Sequence, residues 1–209
     1  MVELIYITQV PNIAEYALSC GADSIMLDLE KRGKQQRQEG RSHYPHQLKA
    51  LNDLRSVVPR GQLYCRINSF DPAETKREVE AVIAADVDTL ILPYFRRMDE
   101  VTGLLRQVKG RCAVCLLVET VDALNLLGDL VQIPEVGEMY LGLNDLALDT
   151  GYAFPFQLLA DGTVDRARKT LLESSVKWGF GGIAPMEKGL IPGQSILREI
   201  CRLQSNTVF

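Results

Sequence analysis

A single (β/α)8 barrel spanning residues 1–209 is the fold the sequence predicts, and three observations carry it. Short apolar runs of strand length alternate with amphipathic helical stretches from one end to the other, which implies a parallel sheet covered by helices. Eight such runs can be counted, the number that closes a barrel. None is followed by a G-x-G-x-x-G or Walker-type loop, as an open nucleotide-binding sheet would require. With 209 residues, the chain sits near the lower limit of barrel sizes, about 200. The expected barrel is therefore short, with its eighth strand at the C-terminus and no full final helix.

The first strand is read at Glu3–Gln9, and Pro11 suits the first turn of a helix that runs through Ala14 to Cys20 and stops at Gly21. Strand two is Ser24–Glu30. A long polar loop follows, carrying Gly33, Gly40 and the basic residues Lys31, Arg32, Lys34, Arg37 and Arg41. A helix from His46 to Val58 places Leu48, Leu51, Leu54 and Val58 on one face. Strand three is Gln62–Asn68, followed by a helix over Glu74–Ala85. Strand four is Thr89–Phe95, and the next helix presents Val101, Leu104, Leu105 and Val108. Strand five, Ala113–Glu119, leads into a helix over Val121–Val131, then strand six, Met139–Asn144, closing at Asp145. The segment Asp149–Gly162 interrupts the alternation with aromatics and Pro155. A helix over Val164–Trp178, strand seven at Gly181–Pro185, a helix over Gly193–Leu203 and strand eight at Asn206–Phe209 complete the count.

Composition narrows the function classes. Hydrophobic residues make up 46% of the chain, enough for a sizeable core, and the formal net charge is −4. There is no basic excess to neutralise nucleic-acid phosphates or an anionic membrane. No apolar run approaches the ~20 residues that span a bilayer. The N-terminus lacks a basic region and a small-residue cleavage site, so a cytoplasmic protein is expected. Cys20, Cys65, Cys112, Cys115 and Cys201 are odd in number and scattered, as buried thiols in a reducing compartment would be. The Cys112/Cys115 pair lies on a strand, where positions three apart face opposite sides, so zinc or redox use is not expected. His43 and His46, the only histidines, are separated by Pro45 in a polar loop and do not suggest a metal site.

Barrel chemistry sits at the C-terminal strand ends. Those ends read Gln9, Asp28 and Glu30, Arg66 and Asn68, Pro93 and Tyr94, Glu119 and Thr120, Asn144 and Asp145, then Ala184 and Pro185. The edge is acidic with one guanidinium. Glu119 and Asp145 close neighbouring strands, and two hard oxygen ligands so placed can hold a divalent cation with positions open for water and substrate; separate loop charges are the alternative. Arg66 is either an ion-pair partner of Asp28 or Glu30 or a planar fork for a substrate oxygen. No Ser-His-Asp or Cys-His set is available, which favours metal-assisted chemistry on an oxo-acid.

The order DLE at 28–30, RIN at 66–68, LP at 92–93, VET at 118–120 and GLNDLA at 142–147 resembles the HpcH/HpaI aldolase and citrate lyase beta-subunit family. The resemblance implies a divalent-metal-dependent barrel that makes or breaks a C–C bond beside a carboxylate through a stabilised enolate. It implies Glu119 and Asp145 as ligands of Mg²⁺ or Mn²⁺, and Arg66 as the residue on the substrate oxygen. Substrate contacts fall to the Gly142–Asp145 turn, with Gly142 and Asn144, and to Pro93. The implied partner is a small 2-oxo or 2-hydroxy acid, free or as an acyl-thioester. Trimers or hexamers are common in the family, and partly exposed apolar positions on the last helix would favour such a homo-oligomer. The chain departs from the family where citrate-lyase-like members read DLED and the aldolase branch has a histidine. Here Asp28, Glu30 and Lys31 stand instead, as catalytic candidates. Leu117 replaces a glutamine of the aldolase branch. An inactive or binding homologue and a phosphoenolpyruvate-utilising barrel are the alternative readings. The basic loop Lys31–His46 and the aromatic segment Asp149–Asp161 are candidates for substrate selection.

Overall fold

The computed structural model describes residues 2–30, 44–182 and 190–209. Lys31, the rest of the basic loop through His43, and the expected strand end at Ala184 and Pro185 lie outside them. Eight strands alternate with helices: β1 (Glu3–Ile7), α1 (Pro11–Ser19), β2 (Ser24–Asp28), α2 (Tyr44–Arg55), β3 (Leu63–Arg66), α3 (Thr75–Ala84), β4 (Thr89–Leu92), α4 (Met98–Val108) and β5 (Ala113–Val118). Then come α5 (Val121–Asn125), α6 (Leu127–Leu130), β6 (Val136–Leu141), α7 (Leu143–Asp149), α8 (Gln157–Ala160), α9 (Thr163–Leu172), β7 (Lys177–Phe180), α10 (Gly193–Leu203) and β8 (Thr207–Val208). The strands close into a parallel barrel in sequence order. β8 completes it, pairing Thr207 with Gly179 of β7, and Thr207 and Val208 with Glu3 and Leu4 of β1.

Strand periodicity divides the core in two. Ile5, Met26, Tyr64, Ile91, Cys115, Leu117 and Tyr140 fill the barrel, and Phe209 stacks on Tyr140 with ring centroids 3.5 Å apart. The alternate positions, such as Ile25, Leu27, Leu90, Leu92, Leu116 and Val118, pack outward against the helices. Cys115 faces inward and Cys112 packs on the outer core, which separates the C-x-x-C pair as expected.

Several boundaries differ from the sequence reading. Strand seven is Lys177–Phe180, ahead of the expected Gly181–Pro185, of which the described Gly181 and Gly182 lie outside any strand, and α9 stops at Leu172 rather than Trp178. The Ser174 hydroxyl donates to the Leu171 carbonyl and ends the helix, while Trp178 and Phe180 alternate into the outer core. Gly179, between them, lies so close to β8 that a Cβ there would sit 2.2 Å from the Thr207 carbonyl oxygen. Strand six ends at Leu141, so Asn144 and Asp145 belong to the first turn of α7. Leu143, Leu146 and Ala147 are buried at helical spacing, a period that overlaps the apparent strand. The helix expected over Val121–Val131 breaks at Leu126 into α5 and α6.

Segment 149–162 is partly helical, with Tyr152, Phe154 and Phe156 half-buried and Leu158 buried. The apolar face of α10 is covered: Ile196, Ile200 and Leu203 are buried. It is not the exposed surface expected of it. Exposed apolar side chains gather instead along Leu4, Tyr6, Ile7, Val10, Ile13 and Tyr16.

Candidate active site

Parallel strands bring their C-terminal ends to one rim, and five of them deliver polar groups there. Asp28 closes β2 and Arg66 closes β3, residues paired directly in the strand register. The Arg66 guanidinium forks onto Asp28, Nε to Oδ1 at 3.0 Å and Nη2 to Oδ2 at 2.7 Å. Its Nη2 lies 3.5 Å from Glu30, and its Nη1 lies 3.8 Å from Glu119. Asp28 Oδ1 also accepts the Glu30 amide at 3.0 Å, a local turn that aims Glu30 at the same guanidinium. Burial disfavours the Arg66 charge, but the hydrogen bonds it donates to Asp28 and the fields of Asp28, Glu30 and Glu119 hold it firmly protonated.

Glu119 follows β5 and is 4% exposed. Its Oε2 accepts the Tyr94 amide at 3.2 Å. That amide is presented by a tight bend after β4, where Pro93 is buried and Tyr94 takes the left-handed conformation at φ +48°. On the other side, Gly142 makes room: a Cβ there would lie 2.3 Å from Glu119 Cγ. Burial pushes the Glu119 carboxyl up to about 8; Arg66 opposes the shift, and Glu30 and Asp145 add to it by repulsion.

The structure therefore gathers Asp28, Glu30 and Glu119 around the Arg66 guanidinium, with Asp145 near enough to be felt by Glu119. Gly142 caps α7 against Glu119, and Asn144 is exposed on the same turn. The first intrahelical bond of α7 runs from the Leu146 amide to the Gly142 carbonyl, so the amides of Leu143 and Asn144 have no partner inside the helix. Sequence reading missed the Tyr94 amide. A backbone donor has no side-chain signature, and only the position of Tyr94 at a strand end pointed to it. It also missed Arg96, whose guanidinium binds Asp149 and Asp122 beside this rim.

A divalent ion fits this donor set. Three carboxylates, Asp28, Glu30 and Glu119, face one guanidinium, and Glu119 is repelled by Glu30 and Asp145 while buried. Mg²⁺ is commonly held by one or two carboxylates with water and substrate completing its shell. Glu119 and Asp145 are two carboxylates of the kind that would hold such an ion. Among the described residues no group of three or more His, Cys, Asp or Glu is placed to hold a metal ion by itself, so water and substrate would have to complete the shell.

The family model for HpcH/HpaI aldolase/citrate lyase matches residues 5–155. No curated protein matches the chain. Among solved structures, an HpcH/HpaI aldolase/citrate lyase family protein from Burkholderia cenocepacia J2315 is 13% identical, with a TM-score of 0.75 over 99% of this chain and 86% of that one. The citrate lyase beta subunit of M. tuberculosis, complexed with oxaloacetate and magnesium, is 22% identical, with a TM-score of 0.69 over 99% and 90%. CitE from Mycobacterium tuberculosis, in complex with magnesium and pyruvate, is 21% identical, with a TM-score of 0.70 over 99% and 84%. At these identities the likeness is one of fold.

Proposed function

The chain belongs to the HpcH/HpaI aldolase/citrate lyase family, and from that premise we propose that it is a divalent-metal-dependent C–C lyase or aldolase acting on a small 2-oxo or 2-hydroxy acid, free or as a thioester. The observation that carries this reading is the buried Glu119 carboxyl, pushed up to about 8 among further carboxylates at the strand-end rim. Glu119 and Asp145 are the residues that would hold Mg²⁺ or Mn²⁺. When bound, the ion supplies a fixed positive charge beside the substrate carboxylate and its neighbouring oxygen.

The chain's own residues divide the remaining work. Arg66, held in orientation by Asp28 and Glu30, offers Nη1 to the substrate oxygen on which charge develops as the C–C bond breaks. Its fork is rigid because two acids fix it, so little reorientation is needed when substrate arrives. Gly142 and Asn144 border the opening and are assigned to the substrate carboxylate through the backbone of that turn. Pro93 fixes the course of the chain before Tyr94. Proton transfer is assigned to the Asp28, Glu30 and Lys31 segment.

Oxaloacetate and pyruvate in the two mycobacterial structures support the substrate class. A homo-oligomer, a trimer or hexamer, would cover the exposed apolar residues of β1 and α1; light scattering that finds only monomer removes it. No helix among the described residues is long and apolar enough to cross a membrane, which is consistent with a cytoplasmic enzyme. The functional test is turnover with pyruvate plus aldehydes, malyl- and citramalyl-thioesters, and phosphoenolpyruvate, each with Mg²⁺, Mn²⁺ or chelator. Metal-dependent cleavage or condensation of one of the first two classes is expected. Turnover of phosphoenolpyruvate alone, or of none, overturns the assignment.

A further inference from the structure

Arg96 and Asp149 lie beyond the acids just described, yet they touch the segments that flank Glu119 and Asp145. The Arg96 Nη2 meets Asp149 Oδ1 at 2.5 Å, and its Nη1 meets Asp122 of α5 at 2.7 Å. The same guanidinium sits 5.3 Å from the centre of the Tyr94 ring and 3.3 Å from its hydroxyl. The other oxygen of Asp149 accepts the Val121 amide at 2.8 Å, two residues past Glu119. One ion pair therefore connects the bend after β4, the start of α5 and the end of α7.

Each connection bears on the proposed ligands. The bend after β4 carries the Tyr94 amide that binds Glu119. Tyr94 holds a left-handed conformation that a non-glycine residue adopts only at a cost, and Arg96 packed on its ring opposes relaxation. Asp149 stands four residues after Asp145 on α7, one turn along the same face. Fixing Asp149 fixes the rotation of that short helix, and with it the direction of Asp145. The β4 and β5 loops also meet through the buried Thr120 hydroxyl, which donates to the Phe95 carbonyl at 2.9 Å.

We propose that Arg96 and Asp149 form a positioning pair that sets Glu119 and Asp145 relative to one another, so that the two act as one site. This rests on the metal reading for one of its readouts and is independent of it for the other. The alternative is an ordinary surface ion pair, like Arg202 with Asp165, 2.7 Å apart on α10 and α9.

The test compares Asp149→Asn, Arg96→Met and, as control, Arg202→Met. Calorimetric titration with Mg²⁺ is expected to show affinity weakened about 10- to 100-fold in the first two, the usual effect of losing an outer partner of a metal ligand, and unchanged in the control. Amide hydrogen exchange, referenced to β1, reads the pair without metal. In Asp149→Asn the amides of Val121 and Tyr94 should both exchange faster, although Asp149 touches only the first. Faster exchange confined to Val121 overturns the proposal, as does unchanged Mg²⁺ affinity in both variants. If the parent protein binds no Mg²⁺, the metal reading fails, and the exchange at Tyr94 alone decides the pair.

Discussion

Two buried glutamates occupy opposite halves of the barrel, and they are compensated differently. Glu138, near the start of β6, accepts the Tyr64 hydroxyl at 3.0 Å, and its register partner across the sheet is Lys177, which also pairs with Glu3. Burial pushes its carboxyl up, and Lys177 and Tyr64 pull it back. Glu119 is as deeply buried, but the Arg66 guanidinium beside it is already forked onto Asp28, and Glu30 and Asp145 repel it further. A buried charge costs free energy unless it is paired. In the lower half of the barrel a hydroxyl and an ammonium face Glu138, whereas at the upper rim Glu119 shares the Arg66 guanidinium with Asp28 and Glu30. Depth alone does not separate structure from function; the surrounding charge does.

Two glycines break this comparison most sharply. Gly179→Ala drives a Cβ to 2.2 Å from the backbone oxygen of Thr207, which cannot move without parting β7 from β8. We expect a loss of about 3 kcal/mol in unfolding free energy, measured by urea denaturation, with any Mg²⁺-induced rise in melting temperature preserved. Gly142→Ala places a Cβ 2.3 Å from Glu119 Cγ, a side chain able to swing away. The expected loss is smaller, about 1 kcal/mol, but the Mg²⁺-induced rise should vanish. Equal losses with both responses intact would erase the distinction between the two halves.

Acidity sharpens it on a finer scale. A carboxyl whose pKa is raised on folding keeps its proton in the native state while the unfolded chain loses it, so stability falls as pH rises between the two values. For Glu119 that window runs from its ordinary 4.5 to about 8, with a slope of at most about 1.4 kcal/mol per pH unit. Without metal, Glu119→Gln should flatten this decline. Glu138→Gln should flatten it less, because Lys177 and Tyr64 already oppose the shift. Melting temperatures across pH 5–8 in both variants check the order, and the reverse order would contradict it.

Much of the rim was legible in the sequence because strand ends in a parallel barrel share one edge. Asp28, Arg66 and Glu119 could be placed from alternation alone. The start of α7 was not legible: Met139 to Asn144 reads as a strand until Leu143, Leu146 and Ala147 are counted at helical spacing. Strand seven slipped for a related reason: Trp178, two helical turns after Leu171, continues the apolar face of the preceding helix until Gly179 must meet β8. The role of Gly142 as the space for Glu119, and the Tyr94 amide, depend on backbone approach between distant segments and have no local pattern.

We propose that Glu119 and Asp145 hold a divalent cation. The most direct measurement is calorimetric titration of Mg²⁺ into the metal-free protein at pH 7, in two buffers of different ionisation heat, alongside Glu119→Gln and Asp145→Asn. Because the Glu119 carboxyl is raised to about 8, binding at pH 7 should displace most of one proton, and affinity should increase with pH. We expect saturable binding with proton release in the parent protein and none in either variant. Absence of binding in the parent protein, or equal binding without proton release in all three, would contradict it.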